Sequence, residues 1–268
     1  MNSAISPALA DISTHLAWFT AYSSQKKAME TGDASPMDLK ITHTLHVLDN
    51  ARHTVEGEGF DAATARQSLL AALYHDVGRF EQYLRYHTFR DRESCNHGQM
   101  GVRILKAHRC LAHETPETRK VVMAAVGMHN RFALPAKTPA LVALVTNVVR
   151  DADKLDILRV MDEHLNGPGP YNPSVVLQQP DDPAIASPAI MQAVRDHRVA
   201  AYADLSCVND FRLLLGTWFF DLHFASSRRK FLQNGHAQKL LRHLPDTAPQ
   251  APARDYLLGI LDAAQRSQ

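Results

Sequence analysis

Apolar residues recur at three- and four-residue spacing along almost the whole chain, and this pattern most limits the folds open to it. The first such segment covers about residues 8–22 and places Ile12, Leu16 and Phe19 on one face. Such spacing buries one side of an α-helix, whereas a half-buried strand alternates apolar and polar residues. No segment combines that alternation with many β-branched residues. The sequence therefore predicts an all-α protein.

Turn and capping residues divide this pattern into separate helices. One predicted helix starts at its N-cap residue Asp61 and ends at His75 and Asp76. Further helices are predicted at about residues 37–55, 94–107, 116–128 and 139–165. The many prolines and glycines of residues 166–188 predict a long loop, either a lid or a plain surface excursion. Residues 189–268 return to helical spacing. We expect them to form a helical cap on a single domain that covers residues 1–268.

Charge and cysteine content narrow the class of protein. Lys and Arg total 29 against 28 for Asp and Glu, so the chain lacks the positive excess that drives binding to nucleic acids or membrane surfaces. Cys95, Cys110 and Cys207 lack CxxC spacing and suit free thiols in a reducing compartment. The first residues show neither a basic nor a long apolar stretch. We expect a cytoplasmic protein for which nucleic acid is not a main partner, and a homo-oligomer stays open.

His75 and Asp76 stand side by side after the apolar run of residues 68–74, and the sequence predicts that this buried helix breaks at the glycine that follows, Gly78. An imidazole and a carboxylate both cost free energy to bury unless something pairs with them. A divalent cation would satisfy both groups together. The pair therefore indicates the centre of a metal site.

Other segments offer further ligands. Upstream, His43 and His46 border an apolar helical stripe, and downstream Asp151, Asp153 and Asp156 follow an apolar segment. A site that combines such histidines and aspartates would mix imidazole nitrogen with carboxylate oxygen. That mixture suits Zn, Fe, Mn, Co or Ni rather than Ca.

The order His43, His75-Asp76, Asp153 resembles the H…HD…D signature of the HD-domain superfamily of metal-dependent phosphohydrolases, which are all-helical. Val47, four residues after His43, and the segments 73–78 and 152–155 also resemble the family's motifs. The resemblance covers about residues 35–165, and it selects Asp153 over Asp151 as a ligand. Arg79 stands where many members have lysine, which keeps the charge but changes the shape of a phosphate contact.

In the HD proteins that hold two metals, histidines in the order of His97 and His129 complete the second site. By this resemblance the first metal would be held by His43, His75, Asp76 and Asp153. The second metal would be held by Asp76, His97 and His129, with Asp76 as the bridge. Two cations about 3.5–4 Å apart would clamp a phosphate and activate a bridging hydroxide.

The resemblance also implies residues that act on the substrate. Asp76, Arg79 and Lys154 are the expected catalytic residues, and Arg79, Lys154, Arg131 and His46 the expected substrate contacts. Cations beside the ligands could hold non-bridging phosphate oxygens. The alternative for each cation is an ordinary surface charge, and for His46 a solvated histidine.

The resemblance implies hydrolysis of a phosphomonoester or phosphodiester, either a nucleotide or a small phosphorylated metabolite, by metal-activated hydroxide. The expected cofactor is one or two ions of Mn, Fe, Ni, Co or Zn, with Mg left open. Some HD-fold proteins instead hold a di-iron pair with four histidines and two aspartates and oxidise C–H bonds with oxygen. That oxygenase, and a non-catalytic HD domain that only binds a ligand, remain alternatives.

Overall fold

The computed structural model describes residues 11–166, 171 and 175–267. Within these residues the regular elements are α-helices and short 3-10 helices, and none lies in a β-strand. The prediction of an all-α fold is therefore confirmed. None of the described helices is both long enough and apolar enough to cross a membrane.

The described residues divide into two compact units, one that extends to Asp153 and one that starts at Lys154. The boundary falls inside a long helix, just after Asp153. The single domain expected from the sequence stays a prediction.

Among the described residues of the first unit seven α-helices begin, and the last of them continues into the second unit. They are α1 (Ser13–Met29), α2 (Ser35–Gly57), α3 (Ala62–Tyr74), α4 (Val77–Tyr86), α5 (His97–Ala107), α6 (Pro116–Met128) and α7 (Ala140–Leu165).

Helix α3 lies at the centre of the first unit. Its residues 69–74 are at most 1% exposed, and the helix packs against α1, α2 and α6. As predicted, Asp61 caps it, because the carboxylate accepts hydrogen bonds from the backbone N–H groups of Ala63 and Thr64, both at 3.0 Å. The end of this apolar helix therefore delivers His75 and Asp76 into the interior.

The chain does not break at Gly78, where the sequence placed the end of a helix. The helical path is interrupted at His75 and Asp76, and Gly78 is the second residue of α4, a helix that the sequence analysis missed. Gly78 is needed for a close approach between helices. A Cβ atom there would lie 2.1 Å from the carbonyl oxygen of His97, the first residue of α5.

Two other predicted boundaries shift. Helix α1 ends at Met29 rather than near residue 22, and its predicted start at residue 8 lies outside the described residues. Helix α5 begins at His97 rather than at residue 94, because the Asn96 side chain accepts a hydrogen bond from the N–H of Gln99 and caps the helix. A short 3-10 helix, Asp91–Glu93, precedes it.

We expect Gly78→Ala to destabilise the protein by about 1–3 kcal/mol or more, because the added methyl group meets backbone that cannot turn aside. The matched control is Gly259→Ala, where a Cβ atom meets nothing within 4 Å. Gly259→Ala should raise stability by about 0.5–1 kcal/mol, as glycine is a poorer helix former than alanine. Urea unfolding of both variants measures the difference. Equal stability of the two variants would contradict the close approach.

The second unit is built on its own hydrophobic core around α9. Its helices after α7 are α8 (Pro188–Arg195), α9 (Val208–Thr217), α10 (Ala225–Asn234), α11 (His236–Arg242) and α12 (Ala251–Arg266). Every residue of α9 is buried. The predicted return to helix after residue 189 is confirmed. Between residues 166 and 187 the described residues form no helix, while 167–170 and 172–174 lie outside the described residues; a lid role for this loop stays a prediction.

Candidate metal centre

Helix α2 carries His43 into the interior of the first unit. His43 is 3% exposed, and Val47, one turn later on the same face, is fully buried. His46 is exposed on the same helix. Helix α2 therefore presents His43 to the interior and His46 to solvent.

The junction between α3 and α4 places the HD pair. His75 is the C-cap residue of α3 and is completely buried, and Asp76 is the N-cap residue of α4. Although an aspartate at that position commonly caps the helix, the Asp76 carboxylate makes no capping hydrogen bond. Its oxygens point instead toward the four histidines described below.

The other three side chains also come from helices or their ends. His97 begins α5, His129 is the C-cap residue of α6, and Asp153 lies within α7. Both histidines are buried, and the Asp153 side chain is 22% exposed.

The first group of donor atoms joins His43, His75 and Asp153. The Nε2 atom of His43 lies 3.0 Å from Asp153 Oδ1 and 3.4 Å from His75 Nε2. His75 Nε2 lies 3.9 Å from the same aspartate oxygen. All three atoms therefore fall within the reach of one cation.

The second group joins Asp76, His97 and His129. The two Nε2 atoms lie 3.0 Å apart, and Asp76 Oδ1 is 3.4 Å from His97 Nε2 and 3.9 Å from His129 Nε2. These atoms form a second set that could hold one cation.

Asp76 joins the two groups through its two oxygens. Its Oδ2 atom lies 3.7 Å from His43 Nε2 and 3.7 Å from His75 Nε2, whereas its Oδ1 atom faces the second group. One carboxylate is therefore shared between the two sets of donors.

Hydrogen bonds leave a free lone pair on three of the four imidazoles. His75 and His129 each donate from Nδ1 to a backbone carbonyl one turn earlier, at 2.7 and 2.8 Å. His97 Nδ1 donates to both oxygens of Asp91, at 2.8 and 2.7 Å. Because the proton of each neutral ring is on Nδ1, each Nε2 atom can only accept.

These rings are neutral at pH 7. Burial, followed by the charge of Arg79, lowers the pKa of His97 to about 4. Burial, followed by the neighbouring His75, lowers the pKa of His129 to about 4, and burial also lowers the pKa of His75. Two lone pairs thus face each other across 3.0 Å between His97 and His129. Only a positive centre would satisfy both.

Both aspartates are ionised. Burial raises the pKa of Asp76, but nearby positive charge, that of Lys40 above all and also that of Arg79, outweighs burial and holds the pKa well below its usual value. Burial likewise raises the pKa of Asp153, and the hydrogen bond from His43 outweighs it. The donor set therefore combines the three neutral imidazoles of His75, His97 and His129 with two carboxylates.

The donor spacing fits divalent transition metals. Two nitrogens bound to one metal at ~2.0–2.1 Å lie roughly 2.9–3.4 Å apart in octahedral to tetrahedral geometry. The observed nitrogen pairs, at 3.0 and 3.4 Å, fall in that range. Mixed nitrogen and oxygen donors suit Zn, Fe, Mn, Co or Ni.

Of the predicted substrate contacts, Arg79 lies beside these donors. Its Nε atom is 3.4 Å from Asp76 Oδ1, and its Nη1 atom donates to Gln82 Oε1 and Asp91 Oδ1 at 2.8 and 3.0 Å. Arg79 Nη1 also donates to the carbonyl oxygen of Phe89, and this bond helps to fix the guanidinium in place.

The other predicted contacts have different surroundings. Lys154 donates to the carbonyl oxygen of Asp221 at 3.0 Å and forms an ion pair with its carboxylate, so a phosphate would have to compete with that pair. Arg131 is exposed just after α6, and its carbonyl accepts a hydrogen bond from Arg150. Among the contacts that the structure describes, none links Arg131 or His46 to the donor groups, and their roles stay predictions.

Lys40 was missed by the sequence analysis. Its Nζ atom lies 2.8 Å from Asp76 Oδ2, and the Phe89 ring lies 5.5 Å from Lys40 Nζ and 5.8 Å from the Arg79 guanidinium. Lys40 and Arg79 thus stand on the two oxygens of one carboxylate. Lys40 stands three residues before His43 on the same face of α2, and this spacing was the sequence signal that could have identified it.

Asp91 and Asn130 were also missed. Burial raises the pKa of Asp91, but the hydrogen bond from His97 and the charge of Arg79 outweigh it, so the carboxylate is ionised. Asn130 donates to Asp91 Oδ2 at 3.0 Å. Both residues lie next to proposed ligands in space, and Asn130 also follows His129 in the chain.

An all-helical unit that gathers four imidazoles and two carboxylates in its interior has the character of a metalloprotein. Residues 41–158 match the family model of the HD domain, and this match contains all six donor residues. This segment therefore belongs to the HD-domain superfamily, and HD domains are typical of metal-dependent hydrolases. Neither curated proteins nor solved structures gave a match.

Proposed function

We propose that this protein is a metal-dependent phosphohydrolase that cleaves a phosphomonoester or phosphodiester, either of a nucleotide or of a small phosphorylated metabolite. The observation that carries the proposal is the shared carboxylate of Asp76, with a donor group on each oxygen and a cationic side chain beside each. Two bound divalent cations would supply positive charge for the phosphate and lower the pKa of water.

The ligand roles follow from the donor atoms. His43, His75 and Asp153 would hold one cation and His97 and His129 the other, with Asp76 between them. Because their Nδ1 protons are engaged, His75, His97 and His129 present unprotonated Nε2 atoms.

Lys40 and Arg79 would bind non-bridging phosphate oxygens. Arg79 is held in place by Phe89 and Asp91, so its orientation is set before a substrate arrives. Lys40 has a flexible stem and its ammonium rests over the Phe89 ring. Such preformed positive charge stabilises the charge that develops on phosphate oxygens during transfer. Lys154, Arg131 and His46 remain further proposed contacts.

A panel of nucleotides, sugar phosphates and phosphodiesters, assayed with Mn, Ni, Co, Zn or Mg, tests the proposal. We expect hydrolysis of at least one class, loss of activity on chelation and its return with metal. A protein that retains metal yet hydrolyses no member of a broad panel would contradict a phosphohydrolase.

Within the same assay, Lys40→Met should raise the KM for the active substrate by roughly 10–100-fold, the value of a charge-assisted hydrogen bond. Its metal content should not change. Lys27→Met, which removes an exposed lysine paired with Asp38, is the matched control and should leave KM unchanged. Loss of metal in Lys40→Met would mean that Lys40 supports Asp76 rather than the substrate.

The donor count of four histidines and two aspartates also favours a second candidate, a di-iron oxygenase of the HD fold. Iron as the bound metal, together with oxygen-dependent oxidation and a redox-dependent spectrum, would establish it. A redox-silent centre that is active on phosphate esters would exclude it. Purified protein without any metal would instead favour a non-catalytic HD domain.

A further inference from the structure

Asp91 is a hub between the proposed ligands of the second metal and Arg79. It lies in the 3-10 helix between α4 and α5, and its carboxylate accepts hydrogen bonds from four side chains. The donors are His97 Nδ1 at 2.7–2.8 Å, Asn130 Nδ2 at 3.0 Å, Gln82 Nε2 at 3.0 Å and Arg79 Nη1 at 3.0 Å.

The contact with His97 controls where that ring points. A carboxylate that accepts from Nδ1 keeps the proton on that nitrogen and turns Nε2 toward Asp76 and His129. His75 and His129 obtain the same orientation from backbone carbonyls, which no substitution removes. The orientation of His97, in contrast, depends on a side chain.

The hub is itself held on several sides. Gln82, fully buried in α4, also donates to Ser94 Oγ at 2.8 Å and to the Cys95 carbonyl at 3.0 Å. These bonds fasten the segment between α4 and α5 to α4. These bonds hold the Asp91 carboxylate against His97 Nδ1 with little freedom to move.

We propose that Asp91 is a positioning residue that sets the affinity of the second donor group for its metal by orienting His97. This inference rests on the proposed two-metal site but not on the reaction. It predicts that only the second donor group depends on Asp91, because the one metal-ligand candidate among the four side chains that donate to Asp91 is His97.

The test is metal binding by Asp91→Asn, measured by titration with Co or Mn and by metal analysis. Outer-shell partners of ligand histidines contribute about 10–100-fold to metal affinity. We expect the second equivalent to bind about 10–100-fold more weakly, with the first equivalent unchanged.

The matched control is Glu114→Gln. Glu114 is a largely buried carboxylate of the same unit that also binds a histidine and an arginine, His15 at 3.0 Å and Arg66 at 2.6 Å. The Glu114→Gln variant should have lower thermal stability but the same affinity for each of the two metal equivalents. If Asp91→Asn leaves both affinities unchanged, or weakens both equally, Asp91 is only structural and the proposal is overturned.

A measurement on the unsubstituted protein tests the proposal even if the Asp91→Asn variant does not fold. In the Zn-loaded protein, ¹⁵N NMR should place the proton of His97 on Nδ1, with the signal assigned by its loss in His97→Ala. A proton on Nε2 would overturn the proposal. Two bound metals without hydrolysis would defeat the proposed function and leave this inference standing. A single bound metal with hydrolysis would overturn this inference and leave the proposed function standing.

Discussion

Replacing Asp76 with alanine is expected to remove both metals and to reduce activity to the uncatalysed background. The reason is that Asp76 Oδ1 faces one donor group and Oδ2 the other, so one truncation takes an oxygen from both. The remaining imidazoles would also lose the negative charge that lies between them. Metal analysis of the purified variant, followed by assay on the active substrate, measures both effects.

Two further variants make the Asp76 result specific. Asp76→Asn keeps the shape of the side chain but removes its charge, and it should also lose metal. Asp49→Ala removes an exposed aspartate from α2, with 66% of its side chain exposed, and should behave as the unsubstituted protein. Retention of one full metal equivalent by Asp76→Ala would show that the carboxylate does not serve both groups.

Replacing His97 with alanine is expected to remove one metal equivalent and leave the other. His97 Nε2 belongs to the second group only, since its described contacts are with Asp76 Oδ1 and His129 Nε2. Activity should fall sharply if both metals are needed for phosphate cleavage. Metal analysis after extensive dialysis gives the stoichiometry.

The complementary variant is His43→Ala, which should remove the other equivalent because His43 Nε2 contacts Asp153 and His75. His46→Ala is the control, as this histidine is exposed on the same helix and should leave both metals bound. If His97→Ala retains two equivalents, the assignment of the second group is wrong.

Most helices follow from local sequence signals. Helix α6 begins and ends where predicted, because Thr115 caps it, Pro116 occupies its first position and apolar residues keep the helical period. Helix α4 was missed because Gly78 indicates a helix end when only neighbours in the chain are considered. The reason for that glycine is the carbonyl of His97, which is distant in sequence.

The proposed ligands could be selected from sequence, but their surroundings could not. The six donor residues stand at recognisable motifs or helix ends, and the structure brings all of them together. Lys40, Asp91 and Phe89 carry no comparable signal, because their roles depend on contacts across the fold. The same holds for Lys154, whose bond with Asp221 joins residues far apart in the chain.

The sequence by itself determined the all-α class, the family and the residues that could hold metal, because helical period, caps and the HD motif are local patterns. Only the tertiary structure decided which oxygen of Asp76 faces which donor group and which cations stand beside that carboxylate. It also decided which ring nitrogen carries the proton in His75, His97 and His129. Those properties depend on distances of about 3–4 Å between side chains on different helices. Packing sets such distances, and no segment of the chain encodes them alone.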